Sequence, residues 1–318
     1  MIRGDVSGSV SVVIGVYNSA RWIREALDSV LAQTRPAGEV IVVDDGSTDD
    51  TPSIVGSYGG MVKYVQEEHR GRPHRNRGIR AARGDFIAFI DGDDYWRPQK
   101  LEMQLELLLA NKLRWAICEA QWVDAGTGNQ VKISSAPVQD GDILEALILN
   151  NFIVASTAIV ARSVFEEVGY FNEAPDVAAV EDWDLWMRIA ARFPVGCVRR
   201  KLCVLRLHGD SFLAALPTAS RVAHMEGVIE RAVGRDPSRL GPLRNRALAN
   251  VSYAAGVQCF RRQHFGEARR YFAEAMRHDT ARLDALGYVL LTFLGPSLGT
   301  AVVRRKRRVG GRDNDSAT

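Results

Sequence analysis

The sequence contains few cysteines, and their spacing excludes the common structural metal sites. The four cysteines form no Cys-x-x-Cys pair and lack the spacing of a zinc site: Cys118, Cys197, Cys203 and Cys259. No long apolar stretch precedes the first apolar run at Val10, so no signal peptide is evident. Unpaired thiols and the lack of a leader are typical of a cytosolic protein, and we therefore expect a cytoplasmic location.

The chain also lacks a strong overall charge, because the net charge of the 318 residues is only +3. The charge is nevertheless uneven along the chain. Residues 1–200 carry 21 Lys and Arg against 28 Asp and Glu, a net charge of −7, whereas residues 201–318 carry 20 against 10, a net charge of +10. The length allows one large or two smaller domains. The charge division indicates a separate basic C-terminal element that meets an acidic surface.

Short apolar runs alternate with a helical pattern in the first hundred residues. Val10–Ile14, Val40–Val43 and Phe86–Ile90 are typical of strands buried on both faces. Residues 20–32, between the first two runs, place apolar side chains at helical spacing. A strand, a helix and another strand in this order predict an α/β fold, with a parallel sheet covered by helices.

Polar clusters follow these three predicted strands. They are Tyr17-Asn18, Asp44-Asp45 and Asp91-Gly92-Asp93-Asp94. In open sheets of this kind, ligands bind beyond the carboxyl ends of the strands. We therefore expect the three clusters to converge on one crevice.

The last of these clusters is the most informative. Three carboxylates at the tip of a strand repel one another unless a positive group joins them. A divalent cation held by one or two of them, with water and phosphate oxygens completing its shell, would offset that repulsion. Mg²⁺ and Mn²⁺ both suit such ligands. The alternative is a polar turn that ends the strand and precedes a helix near Pro98.

Four ordered segments of the chain resemble family 2 glycosyltransferases, the inverting, non-processive enzymes of the GT-A fold. The segments are VSVVIGVYNSARWIREALDSVLAQT (10–34), EVIVVDDGSTDDT (39–51), HRNRGIRAARGDFIAFIDGDDYWRPQKL (74–101) and VEDWDLWMRI (180–189). The resemblance implies a GT-A, Rossmann-like, mixed and mostly parallel sheet flanked by helices. One position departs from the family pattern, which usually has Pro where Gly15 stands.

The resemblance also implies which residues bind the nucleotide of a sugar donor. An aromatic ring would stack on the base, a carboxylate would accept a base N–H, and an Arg-Asn pair and a second carboxylate would approach the nucleotide. The matching residues are Tyr17, Asp45, Arg75, Asn76 and Asp91.

The remaining matches concern the metal and the base. Asp93 matches the principal metal ligand, and Asp91 completes the metal site or touches the ribose. Arg206-Leu207-His208 matches an Arg-x-His near the diphosphate or metal, so His208 is a further candidate ligand; its alternative is an ordinary hydrogen bond. Asp182, in Glu181-Asp182-Trp183, matches the catalytic base, and Glu181 is the second candidate catalytic carboxylate.

The implied chemistry needs these residue types. A cation on the diphosphate oxygens neutralises charge on the leaving group, and a carboxylate takes the proton of the attacking hydroxyl. One base with in-line displacement implies inversion at the anomeric carbon. We therefore expect transfer from a nucleotide-diphosphate sugar to a hydroxyl of a glycan or lipid-linked acceptor. UDP is the favoured nucleotide, and thymidine or guanosine donors are the alternatives.

Alternatives stay open for single residues and for the function. Tyr17 could be a core residue, Asp182 could cap a helix, and Arg75 could belong to a solvated basic helix face. One functional alternative is a sugar nucleotidyltransferase of related fold, which would need a Gly-rich loop bearing Lys or Arg after the first strand. The other is a non-catalytic nucleotide- or carbohydrate-binding module.

We expect the catalytic domain to span residues 1–215 and a helical region to span residues 216–318. Helices are predicted over 220–233, 243–261 and 265–277. Small and aromatic residues in the last two fall at the positions of one tetratricopeptide-like hairpin: Gly256, Ala268, Phe272 and Ala275.

The end of the chain combines an uncharged segment with a basic cluster. Residues 285–303 carry no charge, and Arg304-Arg305-Lys306-Arg307-Arg308 follows. Because Gly295-Pro296 divides a segment already near the lower length limit for a span, we expect 285–308 to make peripheral contact with the cytoplasmic face of a membrane. The alternative is a buried helix with a basic tail. Nucleic acid is not an expected partner, because nothing besides the Arg run supports it.

Overall fold

Eight strands form one sheet in the computed structural model, which describes residues 8–69, 75–131, 137–177, 179–209 and 216–293. The strands are β1 (Val10–Val16), β2 (Glu39–Asp44), β3 (Lys63–Gln66), β4 (Phe86–Asp91), β5 (Tyr95–Trp96), β6 (Trp115–Asp124), β7 (Ile159–Ala161) and β8 (Gly196–Leu207). Their order across the sheet is β3-β2-β1-β4-β7-β6-β8-β5.

The first half of this sheet is parallel and the second half is mixed. β1 pairs in parallel with β2 and β4, and β2 with β3. β7 is antiparallel to both β4 and β6, β6 is parallel to β8, and β8 is antiparallel to β5. β1 is buried along its whole length and β2 and β4 along most of theirs, as expected for strands covered on both faces. The predicted mixed, mostly parallel sheet is therefore confirmed.

Seven helices connect and flank the strands within residues 8–209 of the described chain. They are α1 (Ile23–Leu31), α2 (Thr51–Gly56), α3 (Arg75–Ala81), α4 (Lys100–Asn111), α5 (Leu144–Leu149), α6 (Arg162–Val168) and α7 (Glu181–Ala190). α3 lies very close to β1, because a Cβ atom built on Gly78 would stand 2.4 Å from Cγ1 of Val13. Glycine is needed there for the helix to approach the strand.

The register of the parallel strands brings their carboxyl ends to one edge. Val16 of β1 stands opposite Asp44 of β2, and Gly15 of β1 stands opposite Asp91 of β4. The three polar clusters that follow these strands therefore start at the same level of the sheet, as the sequence predicts.

The chain divides into two compact units, residues 1–217 and 218–318. The predicted boundary between residues 215 and 216 adjoins the segment 210–215, which lies outside the described residues. The described part of the second unit is helical: α8 (Thr218–Arg235), α9 (Pro237–Leu240), α10 (Arg244–Arg261), α11 (Phe265–His278) and α12 (Leu283–Leu291). The ranges of α8, α10 and α11 agree with the predicted helices to within two residues at each end.

α10 and α11 pack closely against each other. A Cβ atom on Gly256 of α10 would lie 2.7 Å from Cε1 of Phe272 of α11, and Ala268, Phe272 and Ala275 are buried at this contact. The small and aromatic positions of the predicted hairpin thus meet. No helix in the described ranges is long and apolar enough to cross a bilayer, and the basic cluster 304–308 lies outside them.

Candidate active site

The three carboxylates after β4 lie close together. Asp91 ends the strand, Asp93 and Asp94 stand in the turn before β5, and one carboxylate oxygen of each lies within 4.8 Å of the others. The side chains of Asp91 and Asp93 are each 30% exposed, whereas residue Asp94 is 5% exposed. The three therefore differ in what they can still bind.

The carboxylate of Asp94 is held by the protein on both oxygens. Oδ2 accepts a hydrogen bond of 2.6 Å from the hydroxyl of Ser156, and Oδ1 accepts one of 3.1 Å from the backbone N–H of Arg206. The same Ser156 hydroxyl accepts the backbone N–H of Asp91 at 3.0 Å. Ser156 and Asp94 thus fix the backbone of the turn that carries the other two carboxylates.

Asp93 contacts the predicted histidine. Nε2 of His208 lies 2.8 Å from Oδ2 of Asp93, and Nδ1 of His208 is buried without a hydrogen-bond partner among the described residues. Burial and the charge of Asp91 raise the pKa of Asp93, and the contact with His208 opposes that effect. A partly exposed pair of repelling carboxylates beside an imidazole fits a divalent cation with oxygen and nitrogen ligands.

Arg206 supports this turn from β8. Its Nη1 donates to the backbone carbonyl of Asp93 at 2.6 Å, and its Nη2 forms an ion pair with Glu25 of α1. The guanidinium lies over the rings of Trp22 and Tyr95, at 4.8 and 4.7 Å from their centroids. Arg206 is therefore clamped between two aromatic rings and positions Asp93 through its backbone.

Arg75 joins the turn after β4 to the start of α7. Its Nη2 forms an ion pair with Asp91, and its Nη1 donates to Oε1 of Glu181 at 3.1 Å. The side chain of Arg75 is only 13% exposed. The alternative in which Arg75 belongs to a solvated helix face is therefore wrong, although the side chain of its neighbour Arg77 is 61% exposed.

Asp182 stands in the first turn of α7, next to Glu181. Burial and the negative charge of Glu181 raise the pKa of Asp182 to about 7, with the charge of Arg75 opposing them. The N-cap position of the helix is occupied by Val180, whose side chain makes no capping hydrogen bond, and Oδ1 of Asp182 accepts the N–H of Trp183 at 2.6 Å. A carboxyl group whose pKa is raised by burial and by a neighbouring negative charge is suited to accept a proton.

The two residues expected to bind the nucleobase share a third neighbour. The ring of Tyr17 stacks on His69 with centroids 4.1 Å apart, and Nδ1 of His69 lies 2.8 Å from Oδ2 of Asp45. Tyr17 is 44% exposed, so it is not a core residue, while Asp45 is 5% exposed. An aromatic ring and a carboxylate are therefore present together at the ends of β1 and β2.

Asn76 is engaged with the protein rather than left open. Its amide nitrogen donates to the carbonyl of Phe171 at 2.9 Å and to Oε1 of Glu173 at 2.6 Å, and its amide oxygen accepts the N–H of Phe171 at 2.9 Å. These contacts show that Asn76 anchors the segment before α7. Its contact with a nucleotide stays a prediction.

Sequence reasoning missed two residues of this site. Ser156 lies in a short turn more than 60 residues from Asp91 and Asp94, with no motif around it. His69 precedes the basic stretch and showed no pattern of its own. Only tertiary contacts identify either residue.

Known proteins resemble this chain in sequence and in fold. A family model described as "Glycosyl transferase family 2" matches residues 11–169, half of the chain. An uncharacterized glycosyltransferase of Rickettsia felis is 32% identical over 210 residues, covering 63% of this chain and 34% of the relative. The putative teichuronic acid biosynthesis glycosyltransferase TuaG of Bacillus subtilis is 29% identical over 185 residues, covering 57% of this chain and 71% of the relative. The chain thus spans about a third of the length of the Rickettsia relative.

A solved structure has the same fold. Residues 1–349 of S. aureus TarS, in complex with UDP-GlcNAc, superpose with a TM-score of 0.63 at 19% identity, covering 95% of this chain and 92% of that one. At this identity the likeness concerns the fold alone, and it confirms the expected GT-A architecture with its helical C-terminal region.

Proposed function

The chain belongs to glycosyl transferase family 2, and we propose that it is an inverting glycosyltransferase. It transfers a sugar from a nucleotide-diphosphate donor, with UDP as the nucleotide, to a hydroxyl of a glycan or lipid-linked acceptor. The observation that carries this proposal is that Arg75 joins the carboxylate turn to the carboxylates of α7. Asp91 of the candidate cation site and Glu181, the neighbour of the candidate base, therefore contact the same guanidinium group.

Tyr17 and Asp45 would hold the donor base. The exposed ring of Tyr17 offers a stacking surface, and Asp45 offers a carboxylate that can accept a base N–H. His69 now occupies both contacts, so the base would either stack on the opposite face of Tyr17 or replace His69. Uracil has the N–H that Asp45 requires. The bound UDP-GlcNAc of the TarS structure is compatible with a uridine donor.

Asp93 and Asp91 would hold Mn²⁺ or Mg²⁺, with His208 as a further ligand. The bound cation would neutralise the diphosphate that leaves. Asp94 has both oxygens bonded to Ser156 and Arg206, so its role is to hold the turn. Arg75 carries positive charge next to Asp91 and would lie close to the same diphosphate.

Asp182 would take the proton from the attacking acceptor hydroxyl. Its raised pKa makes it a stronger base than an ordinary carboxylate while leaving it substantially ionised near neutral pH. Glu181 keeps Arg75 in place and tunes the neighbouring Asp182 through its charge. A single base on the acceptor side implies direct displacement and therefore inversion.

The acceptor is proposed as a growing glycan of the cell envelope. TuaG is named for the biosynthesis of teichuronic acid, which motivates an envelope polysaccharide as the acceptor class.

The test is release of nucleoside diphosphate by the purified protein from a panel of UDP-, dTDP- and GDP-sugars with Mn²⁺. Asp182→Asn keeps the shape of the side chain and removes its basicity, so transfer should fall by about 10²–10⁴-fold while donor affinity is unchanged. Asp50→Asn, at an exposed aspartate, is the matched control and should leave the rate unchanged. If Asp182→Asn loses donor binding and keeps its rate, the base is misassigned.

The same panel separates the alternative functions. A binding module would bind the nucleotide sugar without releasing nucleoside diphosphate. A nucleotidyltransferase would instead form the sugar donor from a sugar phosphate and a nucleoside triphosphate, releasing pyrophosphate. Either result would refute the proposed transfer.

A further inference from the structure

Helix α12 is apolar on both of its faces. On the inner face, Ala285 is fully buried, and Tyr288, Val289 and Leu291 pack against the core formed with α10 and α11. On the outer face and in the turn that follows the helix, four large apolar side chains are exposed: Leu283 (74%), Leu286 (44%), Leu290 (61%) and Phe293 (69%). A helix at the surface of a globular protein normally presents a polar outer face.

The four exposed residues form one continuous surface. Their spacing of three, four and three positions places them on a single side of the helix, and we call them the apolar stripe. Single exposed apolar residues are common and need no explanation, but a contiguous apolar surface marks a place of interaction. The apolar stripe is thus a candidate interaction surface.

One basic side chain contacts this surface, and the sequence of the second unit is basic as a whole. The guanidinium of Arg269 lies 4.7 Å from the centroid of the Phe293 ring, and Asp284, the one acidic residue within 283–293, is paired with Arg282. Residues 218–318 carry 18 Lys and Arg against 9 Asp and Glu, and five of these basic residues follow one another at 304–308. A partner for the apolar stripe must therefore combine apolar and negative character.

We propose that the apolar stripe docks on the surface of an anionic lipid bilayer, with the basic cluster 304–308 binding the lipid headgroups. Apolar side chains enter the boundary between headgroups and acyl chains, and Lys and Arg beside them are attracted to anionic lipids. A second copy of the chain fits less well, because it would bring like charges together. A stable protein interface also takes about 20–30 residues on each side, far more than four.

The apolar part of the proposal is tested with the full chain and vesicles of phosphatidylcholine, with and without phosphatidylglycerol. The protein should sediment with the anionic vesicles. A variant with Leu286→Ser, Leu290→Ser and Phe293→Ser should partition more than about tenfold less, since three apolar groups no longer enter the bilayer. All three side chains are exposed, so the helical circular dichroism should be unchanged. Met61→Ser, at an apolar residue that is 62% exposed in the other unit, is the matched control and should bind like the wild type.

The basic part is tested by replacing the five residues 304–308 with glutamine. Each basic residue near an anionic surface strengthens binding about fivefold, so this variant should bind more weakly and depend less on salt. None of these measurements requires catalysis, so their outcome is independent of the proposed function.

Three results would overturn the proposal. The first is that the wild-type protein does not bind anionic vesicles, and the second is that the triple serine variant binds them as strongly as the wild type. The third is that the wild type does not bind vesicles and is a dimer in light scattering, whereas the triple serine variant is a monomer. The last result would assign the apolar stripe to a second copy of the chain.

Discussion

The two charged neighbours of Asp182 should move its titration in opposite directions, which makes pH the sharpest probe of the site. Asp182 has a pKa raised to about 7 by burial and by Glu181, and lowered by Arg75. Since a base acts only when ionised, the rate should rise with pH through this value and level off above it. A bound cation beside Asp91 would reduce the negative charge nearby, so the rise at saturating metal should lie at or below pH 7.

Glu181→Gln removes a negative charge next to Asp182 and releases Arg75 from its partner at 3.1 Å. Both changes favour the ionised carboxylate, so the rise should move down by about one pH unit. Arg75→Gln removes the positive charge that opposes Glu181 and Asp91, so the rise should move up by about one pH unit. For each protein, the rate at pH 6 is expressed as a fraction of the rate on its own plateau. On this scale Glu181→Gln should be about fivefold faster than the wild type, and Arg75→Gln about tenfold slower.

The assay is the pH profile of kcat/KM for nucleoside diphosphate release, with water as the acceptor where no other is supplied, and at saturating metal. The plateau heights are not part of the test, because Arg75 is also proposed to lie close to the donor diphosphate. The test depends only on the pH at which each rate rises. The reasoning is refuted if both variants shift in the same direction, or if Asp182→Asn keeps a rise at the wild-type pH. Asp50→Asn should reproduce the wild-type profile.

Three further outcomes are expected. Chelation should abolish activity and Mn²⁺ or Mg²⁺ should restore it, and Asp93→Ala should lose more than about a hundredfold in rate with an unchanged unfolding midpoint; full activity in excess chelator would contradict the cation site. Asp45→Ala should weaken UDP binding by about tenfold or more in calorimetry, because one hydrogen bond to a charged group is lost. If the wild type binds all nucleoside diphosphates equally and the variant binds them with the same affinity, Asp45 does not recognise the base. Gly256→Ala should lower the free energy of unfolding by about 1–3 kcal/mol in a urea titration, because its Cβ meets the buried Phe272 ring at 2.7 Å. Gly266→Ala, which has open space in the same hairpin, should not; equal stabilities for the two variants would show that Phe272 moves aside.

Much of the fold follows from local patterns. Buried strands are continuous apolar runs, and helices repeat their apolar positions every three or four residues, so β1, β2, β4 and α1 were predictable from single segments. The convergence of the three polar clusters was predictable as well, since parallel strands place their carboxyl ends at one edge.

The chemistry of the candidate site is only partly local. The sequence indicates Asp91, Asp93 and Asp182 as chemically interesting residues, but it does not indicate which carboxylates remain open to a ligand. That depends on partners far away in the chain. Ser156 donates a hydrogen bond to Asp94 from 62 positions away in the sequence, and Arg75 donates one to Glu181, 106 positions away. Neither contact leaves a periodic signal, so neither could be predicted from spacing.

The C-terminal helices show the same division. Their positions and the small residues between α10 and α11 follow from the sequence, because helical periodicity is a property of neighbouring residues. Which side of α12 is covered depends on the packing of α10 and α11 against it, and that packing leaves Leu283, Leu286 and Leu290 exposed. Local sequence patterns are therefore enough to locate the apolar segments and the carboxylates along the chain. Whether those groups are buried, paired or exposed depends on the folded structure, because burial and pairing arise from contacts between distant segments that local patterns do not record.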